Sequence, residues 1–265
     1  MAITDFNITQ TALTSLCRDP WQVASPTGHH IQGWTDRCDG AAPRNQAIIQ
    51  VHGLTGSMDE HLHQVAAGYF AGHGYDVLRF NLQSQDFPLR QATIKTHGED
   101  VQAVIAAQAA RYDKLFVIGH SYGGPTVMTA LPREAAAICL WDPSFDLPMI
   151  WQKMTVIEQE GLAWLNFGGV EVAVGQAMVA EGRSRDYSAE NCLALSRDLN
   201  RPIKVISASQ GDEYEVFQKS GLSWHSAGHP ANCRVLIPGS DHCFTTPEAL
   251  ASLLVETHEW FAQYG

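Results

Sequence analysis

Short apolar runs alternate with stretches of helical periodicity over most of the chain. Each run is four to six residues long and rich in aliphatic side chains, which is typical of a buried strand. The runs cover residues 47–51, 76–80, 115–119, 136–141, 203–206 and 234–237. Helical spacing is found at 62–72, 95–111, 214–220 and 246–261. This alternation predicts an α/β fold with a mostly parallel sheet and helices on both of its faces. Before it, residues 21–34 alternate around a Ser-Pro-Thr-Gly turn and predict a hairpin.

Residues 143–200 interrupt this rhythm, because they are rich in Met and Trp but show no clean strand-helix alternation. We therefore predict a core domain formed by 1–143 and 199–265, with a cap insertion at 144–198. Within the cap, Trp164 and Phe167 are predicted to line the apolar part of a substrate pocket. The alternative is that they only bury the insertion against the sheet.

The strand predicted at 115–119 leads into a Gly-x-Ser-x-Gly motif at residues 119–123, and a helical stretch follows at once. A strand, a tight turn and a helix in this order are the context of a nucleophile elbow. The turn exposes the Ser121 hydroxyl at the end of the strand. The N–H groups of the following helix then point at the place where an oxyanion would form. Ser121 is therefore the predicted nucleophile.

A serine hydroxyl needs a neighbouring base, which an acid holds in the right tautomer. His242 lies in the loop after the last predicted strand, where the chain order Ser, acid, His requires the base. Two aspartates compete for the acid, since each follows a predicted strand. Asp212 is preferred because its loop lies between the final two strands, whereas Asp142 precedes Pro143 and also suits a turn.

The loop that follows strand 47–51 is predicted to supply an oxyanion donor. We expect this donor to be the Leu54 N–H, paired with the Tyr122 N–H, and we expect His52 to be a structural hydrogen-bonding residue. His61 and His63 suggest metal binding only faintly, because no Asp or Cys at suitable spacing completes a site. Both are predicted to lie at the surface of a helix start, and neither a metal nor a cofactor is expected.

The net charge and the cysteines indicate which partners and which cellular compartment to expect. A formal net charge of -11 disfavours nucleic acid and anionic membrane surfaces as partners. No basic start followed by an apolar run opens the chain, and no stretch approaches the roughly 20 apolar residues of a membrane span. The six cysteines are scattered without close pairs, so a reduced, cytoplasmic protein is expected. The oligomeric state is left open.

The motifs at 52–57 (His-Gly-Leu-Thr-Gly-Ser), 74–80 and 119–124 resemble those of the α/β-hydrolase superfamily, and the resemblance extends from about residue 20 to 264. Within it, the chain is similar to feruloyl and cinnamoyl esterases and to monoacylglycerol-lipase-like esterases. The resemblance implies an eight-stranded sheet, a small cap after the sixth strand and ester hydrolysis without a cofactor. It assigns nucleophile, acid and base to Ser121, Asp212 and His242. After Phe80, however, the chain departs from the pattern of many relatives.

These features together predict a serine esterase that acts on a small-molecule ester through an acyl-enzyme. The same residues would also serve a thioesterase, an amidase or an acyltransferase. A non-catalytic binding protein on the same scaffold is the alternative from another class. It is disfavoured because the chain retains candidates for all three members of the triad.

Overall fold

An eight-stranded sheet forms the centre of the computed structural model, which describes residues 16–154, 156–167, 170–211 and 228–265. Its strands are β1 (Leu16–Ala24), β2 (His30–Cys38), β3 (Gln46–Val51), β4 (Asp76–Phe80), β5 (Lys114–His120), β6 (Ala135–Trp141), β10 (Ile203–Ala208) and β11 (Cys233–Ile237). Their order is β1-β2-β4-β3-β5-β6-β10-β11. The last six strands in this order are parallel to one another, and β2 pairs with β4 in the antiparallel direction. This arrangement confirms the predicted α/β fold, and the antiparallel pair β1–β2 matches the predicted hairpin.

Seven α-helices are found in the described part of the chain: α1 (His61–Gly72), α2 (Ile94–Ala109), α3 (Gly123–Ala130), α4 (Leu147–Lys153), α5 (Gln176–Gly182), α6 (Ala189–Leu199) and α7 (Pro247–Ala262). Helices α2, α3 and α6 pack on one face of the sheet, and α1 and α7 pack on the other. Because both faces are covered, the central strands are apolar on both sides. The helix predicted near 214–220 lies outside the described residues.

A second, three-stranded antiparallel sheet lies in the segment predicted as the cap. It consists of β7 (Val156–Gln159), β8 (Leu162–Phe167) and β9 (Val170–Gly175). With α4 and α5 it builds a separate apolar cluster, which also includes Tyr122 of the main domain. Helix α6 does not share this cluster, because its side chains pack with those of the main sheet. The predicted insertion 144–198 thus includes most of a helix that covers the core.

Two further sequence expectations concern membranes and thiols. No helix among the described residues is long and apolar enough to cross a membrane. All six cysteines lie in the described part of the chain and are free thiols. Cys139 is fully buried in β6.

Candidate active site

The turn after β5 holds Ser121 in the left-handed region of backbone conformation, with φ at +55°. This conformation is costly for a residue other than glycine, and the packing around the turn enforces it. A Cβ on Gly119 would lie 2.6 Å from the Gly123 carbonyl oxygen, and one on Gly123 would lie 2.5 Å from that of Val51. Glycine is therefore required at both positions. The geometry is that of the predicted nucleophile elbow.

The imidazole of His242 lies between a hydroxyl and a carboxylate. Its Nε2 atom is 2.8 Å from Ser121 Oγ, and its Nδ1 atom is 2.5 Å from Asp142 Oδ2. The carboxylate of Asp142 is fully buried, whereas the His242 side chain is 39% exposed. The Ser121 hydroxyl can therefore donate to Nε2 while Nδ1–H donates to the carboxylate. This is the tautomer that a general base needs.

The aspartate that contacts His242 is the alternative acid of the sequence analysis. The sequence favoured Asp212, but the carboxylate at His242 Nδ1 belongs to Asp142, the alternative. Asp212 itself lies outside the described residues. The physical reason is strand adjacency, because β6 is the parallel neighbour of β5 and ends beside it. Asp142, the first residue after β6, thus lies closer to Ser121 than its turn-like sequence context suggests.

Asp142 is held by the backbone of the neighbouring strand. Its N–H donates to the Ile206 carbonyl at 2.7 Å, and its Oδ1 accepts from the Ala208 N–H at 2.9 Å. The residue has a φ of +36°. A Cβ on Gly211 would lie 2.0 Å from Asp142 Oδ2, so the loop after β10 closes directly over the carboxylate. These contacts fix the carboxylate toward His242.

The loop after β3 reaches Ser121, the predicted nucleophile. A Cβ on Gly53 would lie 3.4 Å from Ser121 Oγ. The next N–H belongs to Leu54, and that of Tyr122 lies just before the first residue of α3. Within the described part of the chain, neither N–H is bonded to a backbone or side-chain acceptor. Both are therefore available to an oxyanion.

His52 holds this loop in place. Its Nδ1 lies 2.8 Å from the Gly53 carbonyl oxygen, and its Nε2 accepts from the Leu82 N–H at 3.0 Å. A carbonyl oxygen can only accept, so Nδ1 carries the proton. Burial lowers the pKa of His52 to about 4, and the ring is neutral near pH 7. This is the structural role that the sequence predicts.

Sequence reasoning missed a second hydroxyl beside the nucleophile. Ser144 Oγ lies 3.3 Å from Ser121 Oγ, and the Ser144 N–H donates to the Ser121 carbonyl at 2.9 Å. Its only sequence signal is its position two residues after Asp142.

One prediction about the histidines near this site is wrong. His61 is exposed at the start of α1, as predicted, but His63 is buried, with 1% of its surface accessible. The reason is helical spacing, which turns residue 63 toward the sheet together with Leu62. Burial lowers the pKa of His63 well below its ordinary value and that of His120 to about 3. The imidazoles around His242 are thus uncharged near pH 7.

Of the two cap residues predicted to line the substrate pocket, the structure describes the side chain of one. In β8, Ala163 and Leu165 are buried in the apolar cluster that contains Tyr122, while Trp164 points to the opposite face and is 36% exposed. The side chain of Phe167 lies outside the described residues. Contact of either residue with a substrate remains a prediction.

Comparisons with known proteins give three kinds of match. The model of the Alpha/beta hydrolase family matches residues 51–253. A presumed esterase/lipase of Haemophilus influenzae is 32% identical over 175 residues, which are 65% of this chain and 51% of the relative. The chain thus aligns with about half the length of that relative.

Solved structures with low sequence identity share the fold. The esterase domain of a Rhodothermus marinus protein has a TM-score of 0.70 at 18% identity, with 94% of this chain and 99% of that chain covered. Est1E of Butyrivibrio proteoclasticus, solved with ferulic acid bound, has a TM-score of 0.69 at 18% identity, with 92% and 98% covered. Dienelactone hydrolase of Anabaena variabilis has a TM-score of 0.66 at 14% identity, with 94% and 99% covered.

Proposed function

Since the chain belongs to the alpha/beta hydrolase family, we propose that it is a serine esterase that cleaves small carboxylic esters through an acyl-enzyme. The observation that carries the proposal is the continuous set of contacts from Ser121 through His242 to Asp142. The likeness to an esterase/lipase over part of its length supports the same reaction class.

In the first step, His242 Nε2 takes the proton of the Ser121 hydroxyl as its oxygen attacks the ester carbonyl. Asp142 keeps Nδ1 protonated and stabilises the imidazolium that forms. The Leu54 and Tyr122 N–H groups bind the oxyanion. A typical donor of this kind lowers the barrier by about 3 kcal/mol.

Collapse of the tetrahedral intermediate breaks the bond to the alcohol, which leaves with the proton from His242. A water molecule then enters, gives its proton to the same nitrogen and attacks the acyl-enzyme. The partial exposure of His242 fits this step, since water must reach Nε2. Release of the acid restores the free Ser121 hydroxyl.

The apolar group of the substrate is assigned to the side of the site facing the cap. Tyr122 belongs to the cap cluster, and Leu54 packs against it, so both oxyanion residues border apolar side chains. Leu165 on the inner face of β8 belongs to the same cluster as Tyr122 and supports this side of the site, whereas Trp164 lies on the outer face. A neutral ester is the substrate class that fits, because an uncharged acyl or alcohol chain packs favourably against these apolar side chains.

Covalent labelling tests the proposal. The folded protein is treated with a fluorophosphonate, and the modified peptide is identified by mass spectrometry. We expect a single adduct on Ser121, absent from Ser121→Ala, together with turnover of p-nitrophenyl esters. Folded wild-type protein that is neither labelled nor active would exclude the esterase and favour a binding protein on this scaffold. Matched thioester and anilide substrates separate ester hydrolysis from the related bond types.

A further inference from the structure

A group of three potential metal ligands lies beside the His242 loop, whose backbone carbonyl accepts from one of them, His120. It consists of Glu60, at the residue before α1, His63 in the first turn of α1, and His120 at the end of β5. One ligand atom from each lies within 4.8 Å of the other two. His63 and His120 are 1% and 5% exposed, whereas the Glu60 side chain reaches solvent. We call these three residues the Glu60 cluster.

Hydrogen bonds fix which nitrogen of each imidazole carries its proton. His63 Nδ1 lies 3.1 Å from Gln50 Oε1, an acceptor, so Nδ1 is protonated and Nε2 has a free lone pair. His120 Nε2 lies 3.0 Å from the His242 carbonyl oxygen, so Nε2 is protonated and Nδ1 has the free lone pair. Each ring thus has one unprotonated nitrogen that can bind a cation.

Both of these nitrogens are buried and have no hydrogen-bond partner among the described residues. The neighbouring Glu60 Oε2 lies 3.7 Å from His63 Nε2, beyond hydrogen-bond distance. A buried acceptor without a donor is costly, and here two acceptors face a carboxylate. A cation that accepts all three electron pairs would remove this cost.

We propose that the Glu60 cluster binds one divalent transition-metal ion, with Zn²⁺ as the reference ion. Two imidazole nitrogens and one carboxylate oxygen form a ligand set typical of Zn²⁺, whereas Ca²⁺ and Mg²⁺ prefer oxygen ligands throughout. Tetrahedral Zn²⁺ with bonds of about 2.0–2.1 Å needs ligand atoms about 3.4 Å apart. The ligand atoms lie within 4.8 Å of one another, so the cluster must contract by up to about 1.4 Å to reach this spacing. Glu60 is the one ligand of the three that is not buried.

The ion would act on the loop that carries the proposed base. Ligating histidines usually donate their second N–H to an oxygen acceptor, which orients the ring. Gln50 has this position for His63, and the His242 backbone carbonyl has it for His120. Metal binding would therefore link α1 and the end of β5 to the His242 loop. The proposal does not depend on the esterase reaction.

Zinc titration of chelator-treated protein tests the proposal. Binding is measured by competition with a chromogenic zinc chelator, and stability by thermal melting with and without Zn²⁺. For wild type we expect one ion per chain and a rise in melting temperature of about 5 °C at saturation. Glu60→Gln should weaken Zn²⁺ binding at least tenfold, and His63→Gln should abolish it.

Surface histidines are the main source of unspecific zinc binding, and the chain offers a matched control for them. The rings of His73 and His258 lie 4.4 Å apart near the surface, at the far end of α1. His73→Gln should leave the stoichiometry, the affinity and the thermal shift unchanged. Loss of zinc binding in this variant would overturn the proposal.

Two further results would also overturn it. One is a wild-type chain that binds no Zn²⁺ at protein-equivalent concentrations. The other is affinity that survives in Glu60→Gln. This variant decides the question if His63→Gln fails to fold, because the Glu60 side chain is not part of the core.

Discussion

Ser121 and Asp142 leave the sheet side by side, each as the first residue after a strand. The residues before them, His120 and Trp141, are paired in the parallel register of β5 and β6. The Ser121 N–H also donates to the Trp141 carbonyl at 3.0 Å. His242 therefore needs to span only one strand spacing to contact both side chains. The sheet, rather than a long loop, sets the distance between the proposed nucleophile and the proposed acid.

Exchange of Asp142 for Asn tests the assignment of the acid. The change keeps size but removes the charge that stabilises protonated His242, and an amide can select the wrong tautomer. The equivalent change in a serine protease lowers kcat by about 10⁴-fold, so a loss on the order of 10²–10⁴ is expected. Steady-state kinetics on a p-nitrophenyl ester, with melting curves, provide the measurement.

Asp212→Asn is the matched control and should keep nearly full activity. The reverse pattern, an inactive Asp212→Asn and an active Asp142→Asn, would return the acid to the loop that the sequence favoured.

Removal of the Ser121 hydroxyl should lower kcat far more than removal of the neighbouring Ser144 hydroxyl. Ser121→Ala should lower kcat by about 10⁴–10⁶-fold, because it removes the attacking oxygen. Ser144→Ala should change kcat by about fivefold or less, since one neutral hydrogen bond is worth about 1 kcal/mol. Fluorophosphonate labelling of both variants gives a second readout. An inactive, unlabelled Ser144→Ala of normal stability would mean that Ser144 takes part in the reaction.

The free energy of unfolding should decrease at acidic pH, because the buried histidines must stay neutral in the folded protein. Burial lowers the pKa of His52 to about 4 and those of His97 and His120 to about 3. Between these values and the unfolded value of about 6.5, the unfolded chain binds more protons. The stabilisation is therefore complete above pH 6.5 and is lost progressively as the pH falls toward 3–4.

One such histidine accounts for about 2 kcal/mol of lost stability between pH 7.5 and pH 5. Urea unfolding at several pH values measures this slope. His97→Leu should reduce the slope, because the residue is buried in α2 and its titration disappears. An unchanged slope in that variant would mean that His97 is protonated equally in both states.

The two faces of strand β8 should respond differently to truncation. Leu165 is 1% exposed in the cap cluster, so Leu165→Ala should cost about 2–4 kcal/mol and reduce the preference for long-chain esters. Trp164 lies on the other face, and Trp164→Ala should cost about 1 kcal/mol or less. Denaturant unfolding and kcat/KM on acetyl, butyryl and octanoyl esters measure both effects. A larger change in chain-length preference for Trp164→Ala would restore its predicted contact with substrate.

Local patterns were sufficient to predict the sheet and two members of the site. The strand before Ser121 and the loop that carries His242 are each recognisable within about ten residues, because buried strands have short apolar runs. The same holds for the hairpin at β1 and β2.

The choice of the acid depends on contacts that no local pattern contains. Asp142 and His242 are 100 residues apart, and which strand end lies beside Ser121 follows from strand order. The burial of His63 was missed for a related reason. A histidine in a helix start is polar by composition, and only the docking of α1 on the sheet shows that the ring faces Gln50 and His120.

The last residue of β10 holds the carboxylate through its backbone, since the Ala208 N–H donates to Asp142. Every residue type except proline supplies such a group, so evolution can vary the side chain at 208 within the limits of packing. Position 211 has no such freedom, because any Cβ there meets the Asp142 carboxylate. In a set of homologous sequences, selection on the acid should therefore be visible at two places, as an aspartate after β6 and as a glycine 69 positions later.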